Sequence, residues 1–242
     1  MTDIDQAKEA VRDRVWRLLE REGAVPEGSY GKIPGFYGAE ATAQRLAELD
    51  VWKRARTIKA NPDWAQLPIR IRALKDSKLL YMAVPRMASL QPFFLLDPGT
   101  LDLPPEQATE KKGAAQAAHR VGVDEMRPID VVICGSVAVN RAGARVGKGA
   151  GYSDLEVALL IEAGLVTDET VIVAPVHQLQ VVDEEIPETG HDFSVDLIIT
   201  PDEVIRCPSR RRPQGLIWKD LTPEKIDVIP VLGAQVRRSA DK

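Results

Sequence analysis

The sequence predicts an α/β fold, a parallel or mixed sheet with helices on both sides. Short apolar runs of strand length, such as Ile129-Asp130-Val131-Val132-Ile133-Cys134, read as strands buried on both faces of a sheet. They alternate with stretches of helical periodicity, the pattern of a parallel sheet joined by crossover helices. At 242 residues and 44% hydrophobic, the chain is long enough to bury one sizeable core. The expected organisation is a single domain over 1–242, with a basic, proline-containing C-terminal extension from about 201.

Taken in order, residues 2–22 form an amphipathic helix opened by a Thr2/Asp5 capping box. Ile4, Val11, Val15 and Leu18 make one stripe at helical spacing. At ~100° per residue, Lys8 sits within roughly 40° of that stripe and Arg12 at its edge, so both lean towards the protein body. Residues 22–38 carry five glycines and two prolines and read as a surface loop. A second helix follows at 38–49, a strand at 56–60, a turn at Asn61-Pro62-Asp63 and a helical stretch at 64–74 in which Pro68 leaves the register open. Strands are expected at 78–84, 93–96, 129–134, 170–174 and 194–200, a helix at 110–119 with His119 on its surface, and a short helix near 223–226. The run Arg210-Arg211-Arg212 reads as solvated.

Composition excludes several classes. Aromatic content is 5% and net charge −4, which argues against a broad nucleic-acid surface and confines any anion binding to a local site. Cys134 and Cys207 form no C-x-x-C, against a disulfide scaffold or zinc site. No long apolar run or signal-peptide pattern is present, so a soluble, cytoplasmic protein without membrane partners is expected.

The densest chemistry lies at 145–156. Gly147, Gly149 and Gly151 alternate, so the backbone can turn tightly and approach a ligand, with Arg145 and Lys148 adding positive charge. Ser153 and Glu156 make an S-x-x-E pattern that predicts a helix from about Asp154, with an apolar run to Ala163 and Gly164 as its stop. Free amides and the helix dipole make such a turn an anion site, read here as a phosphate loop. It is neither a Walker A loop, since Gly149 follows Lys148, nor the dinucleotide fingerprint, since the spacing is G-x-G-x-G.

Arg145-Val146-Gly147-Lys148-Gly149-Ala150-Gly151-Tyr152-Ser153-Asp154 resembles the Arg-Leu-Gly-x-Gly-x-Gly-Tyr-Tyr-Asp loop of 5-formyltetrahydrofolate cyclo-ligases. Val176-His177, Gln180-Val181-Val182-Asp183 and His191-Asp192 through Val195-Asp196 extend the likeness, which is nearer still to the methenyltetrahydrofolate synthase domain-containing branch and runs from about Lys8 to Trp218. The resemblance implies a three-layer α/β/α fold with a mostly parallel sheet, of a type shared with sugar-phosphate isomerases and CoA transferases. It implies ATP- and magnesium-dependent conversion of 5-formyltetrahydrofolate to 5,10-methenyltetrahydrofolate through a phosphorylated formyl group. It also assigns Lys8, Arg12, Arg145, Gly147, Lys148, Gly149, Gly151 and Tyr152 to the nucleotide, with Arg145, Lys148 and Tyr152 at the reacting groups. Asp154 and Asp192 would hold magnesium. His177 and His191 read equally as proton carriers or hydrogen-bonded structural residues.

The chain departs from the family pattern at Ser153, where a second aromatic is usual, and at Leu155, where an arginine often follows the aspartate. The family's pterin-contacting glutamate has no fixed counterpart; Asp63 and Gln66 lie in its region. Two further readings follow: a paralogue binding Mg-ATP but acting on another acceptor, such as one of thiamine-related metabolism, and a non-catalytic nucleotide- or folate-binding protein. Paired carboxylates at Asp154 and Asp192 speak against the latter, which needs no metal.

Overall fold

In the computed structural model, which describes residues 2–208 and 210–240, the chain opens with helices α1 (Asp3–Arg21), α2 (Ala39–Glu48) and α3 (Asp50–Arg54), then enters strand β1 (Thr57–Ala60). Helix α4 (Leu67–Lys75) leads to β2 (Leu79–Ala83) and β3 (Phe93–Leu96); α5 (Pro105–Ala108) and α6 (Lys111–Ala117) precede β4 (His119–Val121) and β5 (Val131–Ile133). There follow β6 (Ala138–Asn140), β7 (Arg145–Val146), α7 (Tyr152–Glu162), β8 (Val171–Pro175) and β9 (Val181–Val182). The described chain closes with β10 (Leu197–Ile199), β11 (Val204–Arg206), α8 (Pro223–Val228) and α9 (Pro230–Ala240).

Eight strands form one sheet in the order β11-β10-β8-β5-β1-β2-β3-β4. The central run from β10 to β2 is parallel, and the edges added by β3, β4 and β11 are antiparallel. Strand alternation then sorts the side chains. Ile58, Ala60, Leu80, Met82, Val131 and Ile133 face a layer made by α2 to α6. Tyr81, Ala83, Val132, Cys134, Ile172 and Ala174 face the opposite layer, with Val157 and Leu160 of α7. The expected three-layer α/β/α arrangement with a mostly parallel sheet is the one found.

Helix α1 carries the expected capping box: Thr2 Oγ1 accepts from Asp5 N–H at 3.2 Å and Asp5 Oδ2 from Thr2 N–H at 2.9 Å. It packs over a second, three-stranded sheet, β7-β6-β9, through Val11, Val15, Trp16 and Leu19. Those strands are two or three residues long, too short for a period to be read, so no hydrophobic pattern announces them. His119 lies in a strand rather than on a helix surface, because α6 stops at Ala117 and the chain pairs with β3.

Helix α7 is apolar nearly all round, as a helix between two layers must be. Leu155, Ala158 and Leu159 meet Leu216, Ile229, Val231 and Leu232, so the segment that includes α8 and α9 covers its outer face. The basic run before it is only partly solvated. Arg210 and Arg212 both bind the Asp196 carboxylate, at 3.0 and 2.6 Å, and Arg212 also donates to Ser194 O, because Asp196 is a nearly buried anion that needs cations. Among the described residues, no helix is long and apolar enough to cross a membrane.

Candidate active site

The five parallel strands end along one edge, and the chain reverses its direction across the sheet between β1 and β5. That is the position at which open α/β sheets collect ligands. A cavity of ≈ 490 Å³ lies there, walled by the turns after β1 (Asn61, Pro62, Asp63), β2 (Val84, Pro85, Arg86) and β5 (Gly135), by residues of the glycine loop and by Glu156. Gly135 makes the space: a Cβ there would stand 2.8 Å from Asp63 Oδ2 and 2.9 Å from Ile33 Cγ2. The two motif-bearing turns meet through Gln180. Its amide donates to Ser136 O at 2.9 Å and Val137 O at 3.1 Å while its oxygen accepts from His177 N–H.

In the loop, Gly149 and Gly151 adopt φ of +93° and +70°, the left-handed region that glycine enters without steric cost; Gly147 does not need it. Helix α7 begins at Tyr152 rather than Asp154, and the expected capping box is absent. Gly151 occupies the N-cap, Ser153 Oγ is buried without a hydrogen-bond partner, and the Glu156 side chain turns inward instead of back to the helix start. The uncapped amides of an eleven-residue helix therefore face the cleft that the loop lines.

Four basic side chains surround this loop. Arg145, whose side chain is 2% exposed, pairs with Asp154 and lies 3.9 Å from the Phe193 ring centre, while its Nε is buried and unpaired. Lys148 is exposed on the cleft wall. Arg12 donates from Nε to Gly147 O at 2.7 Å and packs against Gly149, and Lys8 binds Asp192 at 2.5 Å. Lys8 and Arg12 are buried towards the body as their helix positions predict, behind the loop rather than on the cavity wall. Burial pushes the Asp154 carboxyl up; Arg145 opposes this, and Asp192 adds to it. At Asp192 burial acts the same way but is outweighed by hydrogen bonds from Lys8 and from Thr189 N–H, which hold it below the usual carboxylate range.

Sequence reasoning passed over Lys59 and Arg70, which organise the turn after β1 on the cavity wall. Lys59 on β1 is fully buried and donates to Glu156 Oε2 at 2.5 Å and Asn61 Oδ1 at 2.9 Å, and Asn61 Nδ2 donates to the same Glu156 oxygen at 2.7 Å. Arg70, its guanidinium drawn down to about 10 by burial, donates to the carbonyls of Asn61 and Asp63 and fixes the turn between them. Asp63 thereby faces the cavity, its carboxyl raised by burial, with Gln66 Nε2 at 3.3 Å. One signal was available: a lysine in the middle of a buried strand needs an acidic partner. Lys225 on α8 gave no such warning; it donates to Ala150 O at 2.5 Å and covers the Tyr152 ring at 4.1 Å. His177 and His191 are both engaged as acceptors, from Leu179 N–H at 3.3 Å and Ile217 N–H at 2.8 Å.

These features suit a phosphorylated ligand. Arg145 Nε and Ser153 Oγ are orphaned donors on residues that line the cleft, beside free helix amides. Magnesium commonly needs only one or two carboxylates beside substrate phosphates. Asp154 and Asp192, each now paired with a cation (Arg145 and Lys8), are near enough for the Asp192 charge to raise the Asp154 carboxyl, and these two carboxylates would hold such an ion. Among the described residues, no group of three or more histidine, cysteine or acidic side chains forms a candidate metal cluster.

The fold is that of an α/β protein with a ligand-sized cleft at the carboxyl edge of its parallel strands. Its lineage is explicit: residues 4–201 match the 5-formyltetrahydrofolate cyclo-ligase family, and the chain belongs to that family. It is 37% identical over 234 residues to the methenyltetrahydrofolate synthase domain-containing protein of Bos taurus, and 35% over 236 residues to that of Homo sapiens. These matches cover 93% and 95% of this chain but 61% of each relative's length. Among solved structures, the NMR structure of Aquifex aeolicus 5,10-methenyltetrahydrofolate synthetase matches at a TM-score of 0.53 and 20% identity, over 87% of this chain and 95% of that one, a likeness of fold.

Proposed function

We propose that this chain is an ATP- and magnesium-dependent cyclo-ligase that converts 5-formyltetrahydrofolate to 5,10-methenyltetrahydrofolate. The observation that carries the reading is the cleft wall, which brings Arg145, Lys148 and the start of α7 together with Asp63, Asn61 and Glu156. Phosphoryl transfer asks a protein mainly for positioning and charge neutralisation. Arg145 and Lys148, with Lys8 and Arg12 behind the loop, supply cations to the triphosphate. Magnesium, when bound at Asp154 and Asp192, supplies further neutralisation of the phosphate charge. The formyl oxygen attacks the terminal phosphorus and ADP leaves; N10 then attacks the activated carbon, loses its proton, and inorganic phosphate departs. Tyr152, whose ring is covered by Lys225 at 4.1 Å, is assigned to the reacting groups in this reading.

The test is the absorbance of the methenyl product on mixing protein, 5-formyltetrahydrofolate, ATP and magnesium. A rise that requires all three supports the reading. Mg-ATP binding without that rise would replace it with a paralogue acting on another acceptor, a reading favoured by the serine at 153 and the leucine at 155 where the family loop differs. A cytoplasmic location without membrane or nucleic-acid partners accompanies the proposal.

A further inference from the structure

The family match ends at residue 201, yet the chain that follows returns to both motif-bearing turns. Leu216, Ile229, Val231 and Leu232 seat it on the outer face of α7. From that seat Ile217 N–H donates to His191 Nε2 at 2.8 Å, beside Asp192. Lys225 reaches the glycine loop, where its Nζ donates to Ala150 O at 2.5 Å and stands 4.1 Å from the Tyr152 ring centre. The carbonyl and the ring face offset the hydration that a half-buried ammonium gives up.

The peptide joining Ala150 to Gly151 is trans and planar, so its N–H points opposite to its carbonyl. Lys225 holds that carbonyl from off the cavity wall, whereas Ala150, Gly151 and Tyr152 lie on the wall. Gly151 N–H has no hydrogen-bond partner among the described residues. At φ +70°, with no atom within 4 Å of where a Cβ would stand, Gly151 does nothing to stop this peptide from turning over. The restraint comes from Lys225. We propose that Lys225 is a positioning residue for the nucleotide: by fixing the Ala150 carbonyl, it aims the Gly151 amide at a phosphate group in the cleft. The segment after residue 201 thereby becomes part of the site. This role rests on the Mg-ATP half of the function above and not on the folate half.

The test is a calorimetric titration of the whole chain with Mg-ATP, beside steady-state kinetics. Lys225→Met keeps an apolar stem over Tyr152 at a half-buried position and should leave the melting temperature nearly unchanged. It is expected to weaken Mg-ATP binding by about tenfold, the scale of a hydrogen bond from a charged group. KM for ATP should rise by about the same factor while KM for 5-formyltetrahydrofolate stays within about twofold. Lys225→Arg still donates to a carbonyl and stacks on a ring, and should restore affinity to within about threefold of wild type. In nuclear magnetic resonance spectra, saturating Mg-ATP should shift the Gly151 amide proton in the wild type and shift it less in Lys225→Met. Equal affinity in Lys225→Met, a loss that Lys225→Arg does not recover, or a Gly151 amide unmoved by Mg-ATP overturns the proposal. Variants that behave as expected in a protein that does not turn over 5-formyltetrahydrofolate would sink the proposed reaction and leave this role standing. Turnover by the wild type with unchanged affinity in Lys225→Met would do the reverse, and a wild type that binds no Mg-ATP ends both.

Discussion

Lys8 on α1 and Asp192, in the loop before β10, meet at 2.5 Å with side chains 10% and 11% exposed, joining the first helix to the second motif. Thr189 Oγ1 donates to the same Asp192 oxygen at 2.8 Å. The contact places a cation and a carboxylate behind the glycine loop in mutual balance. Arriving phosphates and a metal would divide that pair between them. Lys8→Met is therefore expected to weaken Mg-ATP binding by about 10- to 100-fold, the scale of a hydrogen bond to a charged group, in a calorimetric titration. Unchanged affinity would remove Lys8 from the nucleotide site.

Arg145 is a second cation whose geometry matters as much as its charge. It forms a buried pair with Asp154 and stacks on Phe193, contacts that a lysine ammonium reproduces poorly. Arg145→Met leaves Asp154 uncompensated and should cost about 3–5 kcal/mol in urea unfolding. Arg145→Lys, which restores the charge without the stacked fork, is expected to recover only part of that stability and to bind ATP weakly. Stability equal to wild type in the Met variant would contradict the ion pair.

Gly135 offers a way to displace Asp63 without altering the glycine loop. A methyl group there meets Asp63 Oδ2 and Ile33, and Asp63 must shift. Gly135→Ala is expected to raise KM for the acceptor by about tenfold or more while KM for ATP changes little, since a small displacement of a positioned group is costly. An equal rise in both would mean that the loops after β1 and β5 serve the nucleotide as well.

The pH dependence has a defined sign at His177. Burial holds its imidazole below the ordinary value of 6.5, against the attraction of Asp202, and Nδ1 must stay unprotonated to accept from Leu179 N–H. The unfolded chain therefore binds a proton that the folded chain does not. The contribution to stability is complete above the unfolded value and declines as pH falls through it towards the folded one. His177→Asn keeps a capping acceptor without the titration, so the fall in melting temperature between about pH 7 and pH 5 should flatten. An unaltered slope would assign the pH sensitivity to other groups.

The strands that were legible were those with consecutive apolar residues, because burial on both faces writes itself into every position, as at Val131-Val132-Ile133. Lys8 and Arg12 were placed correctly towards the body by helical spacing alone. The start of α7 was misread because Ser153 and Glu156 satisfy a local pattern while a distant lysine decides where the glutamate goes. That long-range competition is invisible in a window of four residues. Asp63 lay in the right region but could not be fixed, since its orientation depends on Arg70 and on the missing side chain at Gly135. The small sheet and the cover of α8 and α9 over α7 escaped because their strands are too short and their contacts too remote in sequence.

The most direct measurement follows one atom. With 5-formyltetrahydrofolate carrying a heavy oxygen isotope in its formyl group, turnover with ATP and magnesium should deliver the label to inorganic phosphate, as phosphorylation of that oxygen requires. Label found in water, or methenyl product formed without ATP consumption, would contradict the phosphoryl-transfer role given to the Arg145–Asp154 end of the cleft.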